Sequence, residues 1–284
     1  MQSLRDVISE TVSRGGVIWH FNFSELTVLK VAARVARELS VPIVMGLSEG
    51  EREFVGVYEA VALVRAYRAQ GVRIYLNADH TRSFEKIKEA VDAGFDAVIF
   101  DGAGLPLEEN IRETKRVVEY VRIVNPRVIV EGELGYIGTA SQVLKKIPKG
   151  VQKTTVKDVV RFAKETGVDM FAPAVGNVHG MMASGHEPAL DIPLIKKIKA
   201  ALRQAQGKQI PLVLHGASGN SDTDIRAAIK AGISVIHINT ELRRAWREKL
   251  EESLKAMPDE VAPYKLLVAG EKIIYDFIKD KIEK

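Results

Sequence analysis

Ile74-Tyr75-Leu76-Asn77-Ala78-Asp79-His80-Thr81 has the pattern of a buried strand that ends in an acid and an imidazole. Two later apolar stretches have the same pattern, and they lead to His179 and to His215. Ionisable groups at the end of a buried strand are costly unless they bind something. Three neutral imidazoles around one ion, with a coordination position left open, are the ligand set of a catalytic zinc site. The sequence therefore predicts that these three histidines meet at one metal ion.

The whole chain alternates between short apolar runs and helical patterns. The runs are rich in Val, Ile and Leu, as expected of a parallel sheet that is covered on both faces. Eight strand–helix repeats in about 260 residues are typical of a (β/α)8 barrel. The predicted strands are residues 17–23, 42–47, 73–79, 97–101, 128–134, 170–175, 212–215 and 235–239. The predicted helices are residues 25–39, 54–69, 84–93, 107–123, 156–165, 192–205, 222–231, 241–256 and 264–282.

We therefore predict an α/β fold, a (β/α)8 TIM barrel that forms a single domain over residues 1–284 with an extra C-terminal helix. No shift in composition marks a second domain. The alternative is an open, doubly wound sheet. It is disfavoured because no G-x-G-x-x-G dinucleotide loop follows the first strand.

The composition is ordinary for a globular protein, with 46% of the 284 residues hydrophobic and 27% charged. The formal charge is +4, and lysine and arginine are spread along the helices, which argues against a nucleic-acid partner. No apolar run approaches the ~20 residues of a membrane span. The chain has no cysteine, which excludes disulfides and thiolate ligands and predicts a cytoplasmic location.

All strand ends of such a barrel point to one face, so the three histidines would share a rim. Asp79 is predicted to be a general acid/base there; alternatively it caps the next helix, although Ser83 can do so itself. Asp101 and Glu133 also end strands. Each could hydrogen-bond a ligand imidazole or bind the ion, or else cap a helix or form a rim salt bridge.

Two segments of small and polar residues are candidates for holding a phosphate. Gly216-Ala217-Ser218-Gly219 follows the seventh strand, and His237-Ile238-Asn239-Thr240 ends the eighth. Barrels frequently bind phosphate in these loops, where small residues let backbone N–H groups approach its oxygens. Of the remaining histidines, His20 is predicted to be a core residue and His186 a solvated loop residue.

Seven parts of the chain resemble the class II, zinc-dependent fructose-bisphosphate and tagatose-bisphosphate aldolases, in the family's order and over nearly the whole length. They are Phe21-Asn22 with Ser48; Asp79-His80; Asp101-Gly102 with Leu105 to Asn110; Glu131 to Gly135; Gly176 to Gly180; His215 to Gly219; and Asn239 to Leu242.

The resemblance implies a barrel lyase that reversibly cleaves a ketose phosphate, first of all fructose 1,6-bisphosphate. The products would be dihydroxyacetone phosphate and an aldehyde such as glyceraldehyde 3-phosphate. It implies one Zn2+ per chain, or another divalent ion in its place, with a monovalent cation as a further candidate. It also implies a role in glycolysis, a homo-oligomer (dimer or tetramer), and a sugar phosphate rather than nucleic acid or membrane as partner.

The same resemblance implies a role for each site residue. His80, His179 and His215 would hold the ion, and Asp79 would be the acid/base on the C4 hydroxyl. The residues expected to bind the phosphate or the rest of the substrate are Asn22, Ser48, Gly180, Gly216, Ala217, Ser218, His237, Asn239 and Thr240.

Four positions depart from the family's pattern. His237 replaces an asparagine that contacts the ketose, and Ala103 replaces a serine. The loop Gly138-Thr139-Ala140-Ser141-Gln142 lacks the acidic pair whose glutamate moves the proton at the ketone-phosphate carbon. Tyr264 follows Pro263 where the family has the arginine that meets the far phosphate. These changes predict an altered aldehyde partner or proton relay, and a weaker preference for bisphosphates unless another cation replaces that arginine.

Three other interpretations stay open. The first is an aldolase for a different ketose phosphate, either of tagatose type or with a non-phosphorylated aldehyde. The second is metal-assisted hydrolysis at the same histidines, which would need a water-activating base. The third is a sugar-phosphate-binding relative that has lost its proton relay, which Ser141 and Tyr264 favour. Release of dihydroxyacetone phosphate would separate the aldolases from the other two.

Overall fold

Eight parallel strands close into a barrel in the computed structural model, which describes residues 2–138, 141–207 and 209–284. The strands are β1 (Ile18–Asn22), β2 (Ile43–Leu47), β3 (Ile74–Thr81), β4 (Ala97–Phe100), β5 (Ile129–Leu134), β6 (Val143–Leu144), β7 (Met170–Pro173), β8 (Met181–Met182), β9 (Leu212–Leu214) and β10 (Ile233–Ile238). All but β6 and β8 belong to the barrel, in chain order, and β10 pairs with β1 to close it. The predicted (β/α)8 barrel is therefore confirmed.

Helices cover the outside of the barrel. They are α1 (Leu4–Ser13), α2 (Leu26–Glu38), α3 (Glu49–Val55), α4 (Val57–Ala69), α5 (Phe84–Ala93), α6 (Leu107–Val124), α7 (Val156–Thr166), α8 (Ile192–Gln206), α9 (Asp222–Ala231), α10 (Thr240–Ala256), α11 (Pro263–Val268) and α12 (Glu271–Glu283). Most of the predicted helices begin and end within one or two residues of their predicted bounds.

Three differences from the prediction have local causes. The helix predicted over 264–282 is two helices, α11 and α12, which separate at Gly270, and glycine is a poor residue for a helix interior. The helix predicted from residue 54 is preceded by α3, which begins after Ser48. Helix α1 was not predicted, although Ser3 and Asp6 form a capping box, in which each side chain accepts a hydrogen bond from the other's backbone N–H.

The barrel interior is apolar at its amino end. Leu4, Val7 and Ile8 of α1 close that end and belong to one cluster with apolar residues from all eight barrel strands. A separate, larger cluster lies between the strands and the surrounding helices. The strand residues of the inner cluster are Ile18, Val44, Tyr75, Ala97, Ile129, Met170, Ala172, Val213 and Val235.

Candidate active site

The carboxyl half of the barrel interior is polar, and the period of a strand explains why. Successive strand residues point to opposite faces, so residues two and four positions after the apolar layer also point inward. At most of these positions the chain carries an acid, an amide or an imidazole, and all of these but the half-buried Asp101 and Asn239 are buried. The buried residues are His20, Asn22, Asn77, Asp79, Glu131, Glu133, His215 and His237.

His80 also reaches the site, although it follows the inward-facing Asp79 directly. Its backbone has φ 40°, a left-handed value that is unusual outside glycine. The pairing of β3 with β4 shifts register between Ala78 and Thr81, around the same residue. This irregularity lets two successive side chains face one site. Such strain costs about 1–3 kcal/mol, and it is typical of functional positions.

The rings of His80 and His215 meet at the centre of the site. Nε2 of His80 lies 3.1 Å from Nδ1 of His215. The opposite nitrogen of each ring faces a carboxylate: His215 Nε2 lies 2.7 Å from Glu131, and His80 Nδ1 lies 3.2 Å from Asp101. Glu133 is a second neighbour of His80 Nδ1, at 3.4 Å. These carboxylates fix both rings and leave two nitrogens facing each other.

His179 is the third predicted ligand, and its ring stacks on His80 with a centroid distance of 4.6 Å. Burial lowers the pKa of His179 to about 3, and the nearby charge on His80 acts in the same direction. The imidazole is therefore neutral, which is the form that binds a metal. The structure brings all three predicted histidines together, and the ligand role of His179 stays a prediction.

Carboxylates dominate the electrostatics around His80. Burial acts to lower the pKa of His80, but the charges on Asp79 and Glu133 outweigh it and raise that pKa well above its ordinary value. Burial likewise opposes a charge on His215, whereas Glu133 and Glu131 raise its pKa. A site that draws protons onto its imidazoles has an excess of negative charge, which a bound cation would balance.

Asp79 is buried and keeps its charge. Burial acts to raise its pKa, but His80 and His237 together hold that pKa well below the usual range. Asn22 donates a hydrogen bond of 2.9 Å to Oδ2. Oδ1 has no hydrogen-bond partner among the described residues and lies 3.5 Å from His237 Nδ1 and 3.9 Å from His80 Nε2. One oxygen is thus held, and the other is directed into the site.

His20 also belongs to this constellation, so the prediction of a simple core residue was incomplete. His20 and His237 are register partners on β1 and β10, and their rings stack 3.6 Å apart and nearly parallel. Burial lowers the pKa of His20 to about 4. Gly46 on β2 makes room, because a Cβ there would lie 2.2 Å from the His20 ring. The spacing of His20 and Asn22, two residues apart on one strand, was the available sequence signal.

Glu51 is a second residue that the sequence analysis missed. It is buried at the start of α3, where its Oε2 accepts hydrogen bonds from Asn22 Nδ2 at 2.8 Å and from the backbone N–H of Ser48 at 2.7 Å. Arg243 from α10 pairs with the other oxygen. Glu51 therefore links the predicted substrate residues Asn22 and Ser48 to the start of α10.

Most of the predicted phosphate residues line one small cavity with the histidines. Gly180, Gly216, Ser218, His237, Asn239 and Thr240 all contribute to its wall, together with Asn22, Asp79 and Ser141. Ala217 differs, because its side chain packs in the core outside the barrel. Gly216 has φ 57°, and a Cβ there would lie 2.1 Å from the carbonyl oxygen of Val178, so only glycine fits this turn.

Ser141, in the loop after β5, lines this cavity. Thr139 and Ala140, two of the residues that depart from the family's pattern, lie outside the described residues. Ser141 is 2.9 Å from the Thr240 hydroxyl. Beyond it β6 pairs with β8 in a two-stranded sheet, in which the backbone N–H of Met181 donates to Gln142 at 3.0 Å. The loop is thereby joined to the segment that carries His179 and Gly180.

The donor set fits a divalent ion. Two ligands about 2.05 Å from a tetrahedral ion are about 3.3 Å apart, close to the 3.1 Å between His80 Nε2 and His215 Nδ1. Carboxylates behind ligand imidazoles are the usual second layer of such sites. Among the described residues, His179 is in none of the groups that bring three ligand atoms within 4.8 Å of one another. Those groups are His20, Asp79 and His237; Asp79, His80 and His215; Glu131, His215 and His237; and His80, Asp101 and Glu133.

Tyr264, the residue that replaces the family's arginine in sequence, lies elsewhere. It is 71% exposed and lines an outer groove of about 1100 Å³ with Leu26, Phe54 and Val268. Tyr264 therefore lies outside the site cavity.

Along the described residues, no helix combines the length and the apolar character that crossing a membrane requires.

A parallel barrel with imidazoles and carboxylates gathered at the carboxyl ends of its strands has the architecture of a (β/α)8-barrel enzyme. A model of the family described as fructose-bisphosphate aldolase class-II matches residues 2–284. The chain belongs to this class II aldolase family, whose members are lyases that generally depend on a metal.

Individual relatives are similar over nearly their whole length. The 6-phospho-5-dehydro-2-deoxy-D-gluconate aldolase of Bacillus licheniformis is 34% identical over 286 residues, which cover 99% of this chain and 94% of the relative. The fructose-bisphosphate aldolase of Geobacillus stearothermophilus is 34% identical over 276 residues, which cover 96% and 92%. The crystal structure of the YdjI aldolase from Escherichia coli K12 superimposes with a TM-score of 0.82 at 28% identity, covering 99% and 96%.

Proposed function

We propose that this protein is a metal-dependent aldolase that reversibly cleaves a ketose phosphate to dihydroxyacetone phosphate and an aldehyde. The observation that carries the proposal is the meeting of His80, His215 and Asp79 in one cavity with the glycine–serine turn. Fructose 1,6-bisphosphate is the first candidate substrate, with glyceraldehyde 3-phosphate as the aldehyde. Ketoses of tagatose type, and ketoses that yield a non-phosphorylated aldehyde, are the alternatives.

In this proposal His80, His179 and His215 hold one Zn2+, or another divalent ion. Glu131 behind His215 and Asp101 behind His80 support this role, because they keep the remaining ring nitrogens directed into the cavity. When bound, such an ion withdraws electron density from the ketone and hydroxyl oxygens beside the bond that breaks. Asp101 and Glu133 are proposed to orient His80 rather than to coordinate the ion themselves.

Asp79 is proposed to move the hydroxyl proton. During cleavage it takes the proton from the C4 hydroxyl, the C3–C4 bond breaks, and C4 leaves as the aldehyde carbon. The electron pair of that bond stays with C3 in the enediolate, and a proton from solvent then completes dihydroxyacetone phosphate. In the condensation direction the protonated carboxyl returns the proton to the new hydroxyl. Its ionised carboxylate, which can accept a proton, its one free oxygen and its hydrogen bond from Asn22 support this role.

The phosphate of dihydroxyacetone phosphate is proposed to bind at the turn after β9 and the start of α10. Gly180, Gly216, Ser218 and Thr240 line the cavity there, and Ala217 would contribute through its backbone alone. Asn239 and His237 would contact the carbon chain. Ser48 lines the neighbouring cavity and would contact the aldehyde half.

We further propose that residues 1–284 form one barrel domain that acts in the cytoplasm, in glycolysis, as a homo-oligomer. A second copy of the chain is the proposed occupant of the outer groove, because Leu26, Phe54, Tyr264 and Val268 together expose an unusually apolar surface beside it. Sedimentation of the wild type and of Phe54→Glu tests this proposal. A monomeric wild type would contradict it.

The proposed reaction is tested with a panel of ketose mono- and bisphosphates and zinc-loaded protein. Release of dihydroxyacetone phosphate is followed by its NADH-linked reduction. Turnover is expected with at least one ketose phosphate, and it should disappear in the Asp79→Asn variant. A zinc-loaded, folded protein that releases dihydroxyacetone phosphate from none of the panel would refute the aldolase proposal.

A further inference from the structure

A second cavity, of about 410 Å³, continues outward from the proposed reaction centre. Both cavities are lined by Asp79, His80, His179, Ser141 and Asn239. The inner cavity has the glycine–serine turn proposed for the phosphate of dihydroxyacetone phosphate. A ketose phosphate held at that turn and broken beside Asp79 would therefore place its aldehyde half in the outer cavity.

Two guanidinium groups line the outer cavity. Arg243 extends from the first turn of α10 with its side chain 42% exposed, and Arg82 follows β3 with its side chain 53% exposed. Nε of Arg82 donates to Asp101 at 3.4 Å, whereas among the described residues only Nη2 of Arg243 makes a hydrogen bond, to Glu51. Its remaining donors are free for a ligand, and a guanidinium fork suits the paired oxygens of a phosphate or a carboxylate.

Two of the acids near these arginines, Glu51 and Glu53, have other partners, and Glu49 in the cavity wall accepts a hydrogen bond from the backbone N–H of Arg82. Glu51 accepts hydrogen bonds from Asn22 and Ser48 as well as from Arg243. Glu53, also in the wall, pairs with Lys86. Glu51 therefore does not depend on Arg243 alone for its hydrogen bonds, and the positive charge of Arg243 can also stabilise a bound anion.

We propose that Arg243, with Arg82 in the wall of the same cavity, binds an anionic group on the aldehyde half of the substrate. The group is a phosphate or a carboxylate at the end of the aldehyde farthest from its carbonyl carbon. This inference rests on the proposed aldol reaction and adds the substrate class. It also changes the expectation of a weaker preference for bisphosphates that was drawn from Tyr264. The cation for the far group would come from α10 and from the residue after β3 rather than from the segment after Pro263.

The test uses the condensation direction, with zinc-loaded full-length protein and saturating dihydroxyacetone phosphate. The three aldehydes are glyceraldehyde 3-phosphate, 3-oxopropanoate and D-glyceraldehyde, which end in a phosphate, a carboxylate and a neutral hydroxyl. The wild type is expected to prefer one of the two anionic aldehydes, and that aldehyde identifies the group. Arg243→Gln should lower kcat/KM for it about tenfold to a hundredfold more than for D-glyceraldehyde, the range for lost charge-assisted hydrogen bonds.

Arg244→Gln is the matched control, because Arg244 is the next residue of α10, is similarly exposed and pairs with Glu248 within the helix. It should keep the wild-type preference. Since Arg243 also supports Glu51, Arg243→Lys provides a second variant that keeps the charge and loses the fork. It should recover part of the preference while the rate with D-glyceraldehyde stays near that of Arg243→Gln.

Two results would overturn the inference. One is an equal loss with all three aldehydes in Arg243→Gln, since Arg243 would then only position Glu51 and Asn22. The other is a wild type that condenses D-glyceraldehyde as well as both anionic aldehydes. A wild type that condenses no aldehyde would instead overturn the proposed aldol reaction together with this inference.

Discussion

Replacing Glu131 with glutamine removes one buried charge and almost no volume. Glu131 is fully buried, and its Oε1 lies 2.7 Å from Nε2 of His215. The glutamine carbonyl can take the same position and accept the same hydrogen bond, so His215 should keep its orientation. What is lost is the carboxylate that makes the imidazole a stronger donor to a metal.

The size of the effect follows from this position behind a ligand. Removing a partner behind a ligand typically weakens metal binding tenfold to a hundredfold, or about 1.4–2.8 kcal/mol. The Glu131→Gln variant should therefore bind zinc about tenfold to a hundredfold more weakly than the wild type.

Zinc affinity is measured by competition with a chromophoric chelator after the protein has been stripped of metal. Thermal unfolding with and without zinc gives an independent estimate, since a ligand stabilises the folded state by RT ln(1 + [L]/Kd). Glu119→Gln, an exposed position on α6, is the control and should match the wild type. A folded Glu131→Gln variant whose zinc affinity stays within about twofold of the wild type would refute the argument.

Three further predictions follow from the same contacts. Elemental analysis should find about one divalent ion per chain, and chelation should abolish turnover; full activity in metal-free protein would contradict this. Asp79→Ala should retain zinc but lose at least ~10²-fold in turnover, whereas loss of zinc or of the fold would show a structural role. At the amino end of the barrel, Arg5 and Arg122 lower the pKa of Asp169 against the effect of burial. The ion pairs of Asp169 therefore stabilise the fold above about pH 4, and this stabilisation is lost as the pH falls through the lowered pKa. Asp169→Asn should therefore lower the free energy of unfolding at pH 7 by about 1–3 kcal/mol, with a gap from the wild type that narrows in acid; a constant gap down to pH 3 would contradict this.

The barrel could be predicted because each part of its sequence pattern is local. A buried parallel strand is a short apolar run, and the helices between strands show their own period. The elements that were missed have weaker signals. Strands β6 and β8 are two residues each and exist only because two distant loops meet. Helix α1 is short, and it is held by packing on the inner cluster more than by its own propensity.

Site residues at the ends of strands could be predicted from the sequence. Contacts that depend on the pairing of neighbouring strands could not be predicted as well. His80, His179 and His215 follow three apolar runs, so the barrel alone brings them to one rim. The stacking of His20 on His237 depends on the register of β1 against β10, which no local pattern gives. Glu51 was hidden for another reason, since its role comes from a buried helix start that also looks like an ordinary capping box.

The small β6–β8 sheet would couple the proposed binding of the metal to the proposed binding of the sugar phosphate. It joins the loop that carries Ser141 to the segment that carries His179 and Gly180. If a metal holds His179 in place, it also restrains Ser141, which then loses less freedom when a sugar phosphate binds. By linkage the reverse holds to the same extent, so the sugar phosphate tightens the metal by the factor by which the metal tightens the sugar phosphate. Apo protein would then bind sugar phosphates more weakly until its ion arrives, and a bound sugar phosphate would in turn make the ion harder to remove.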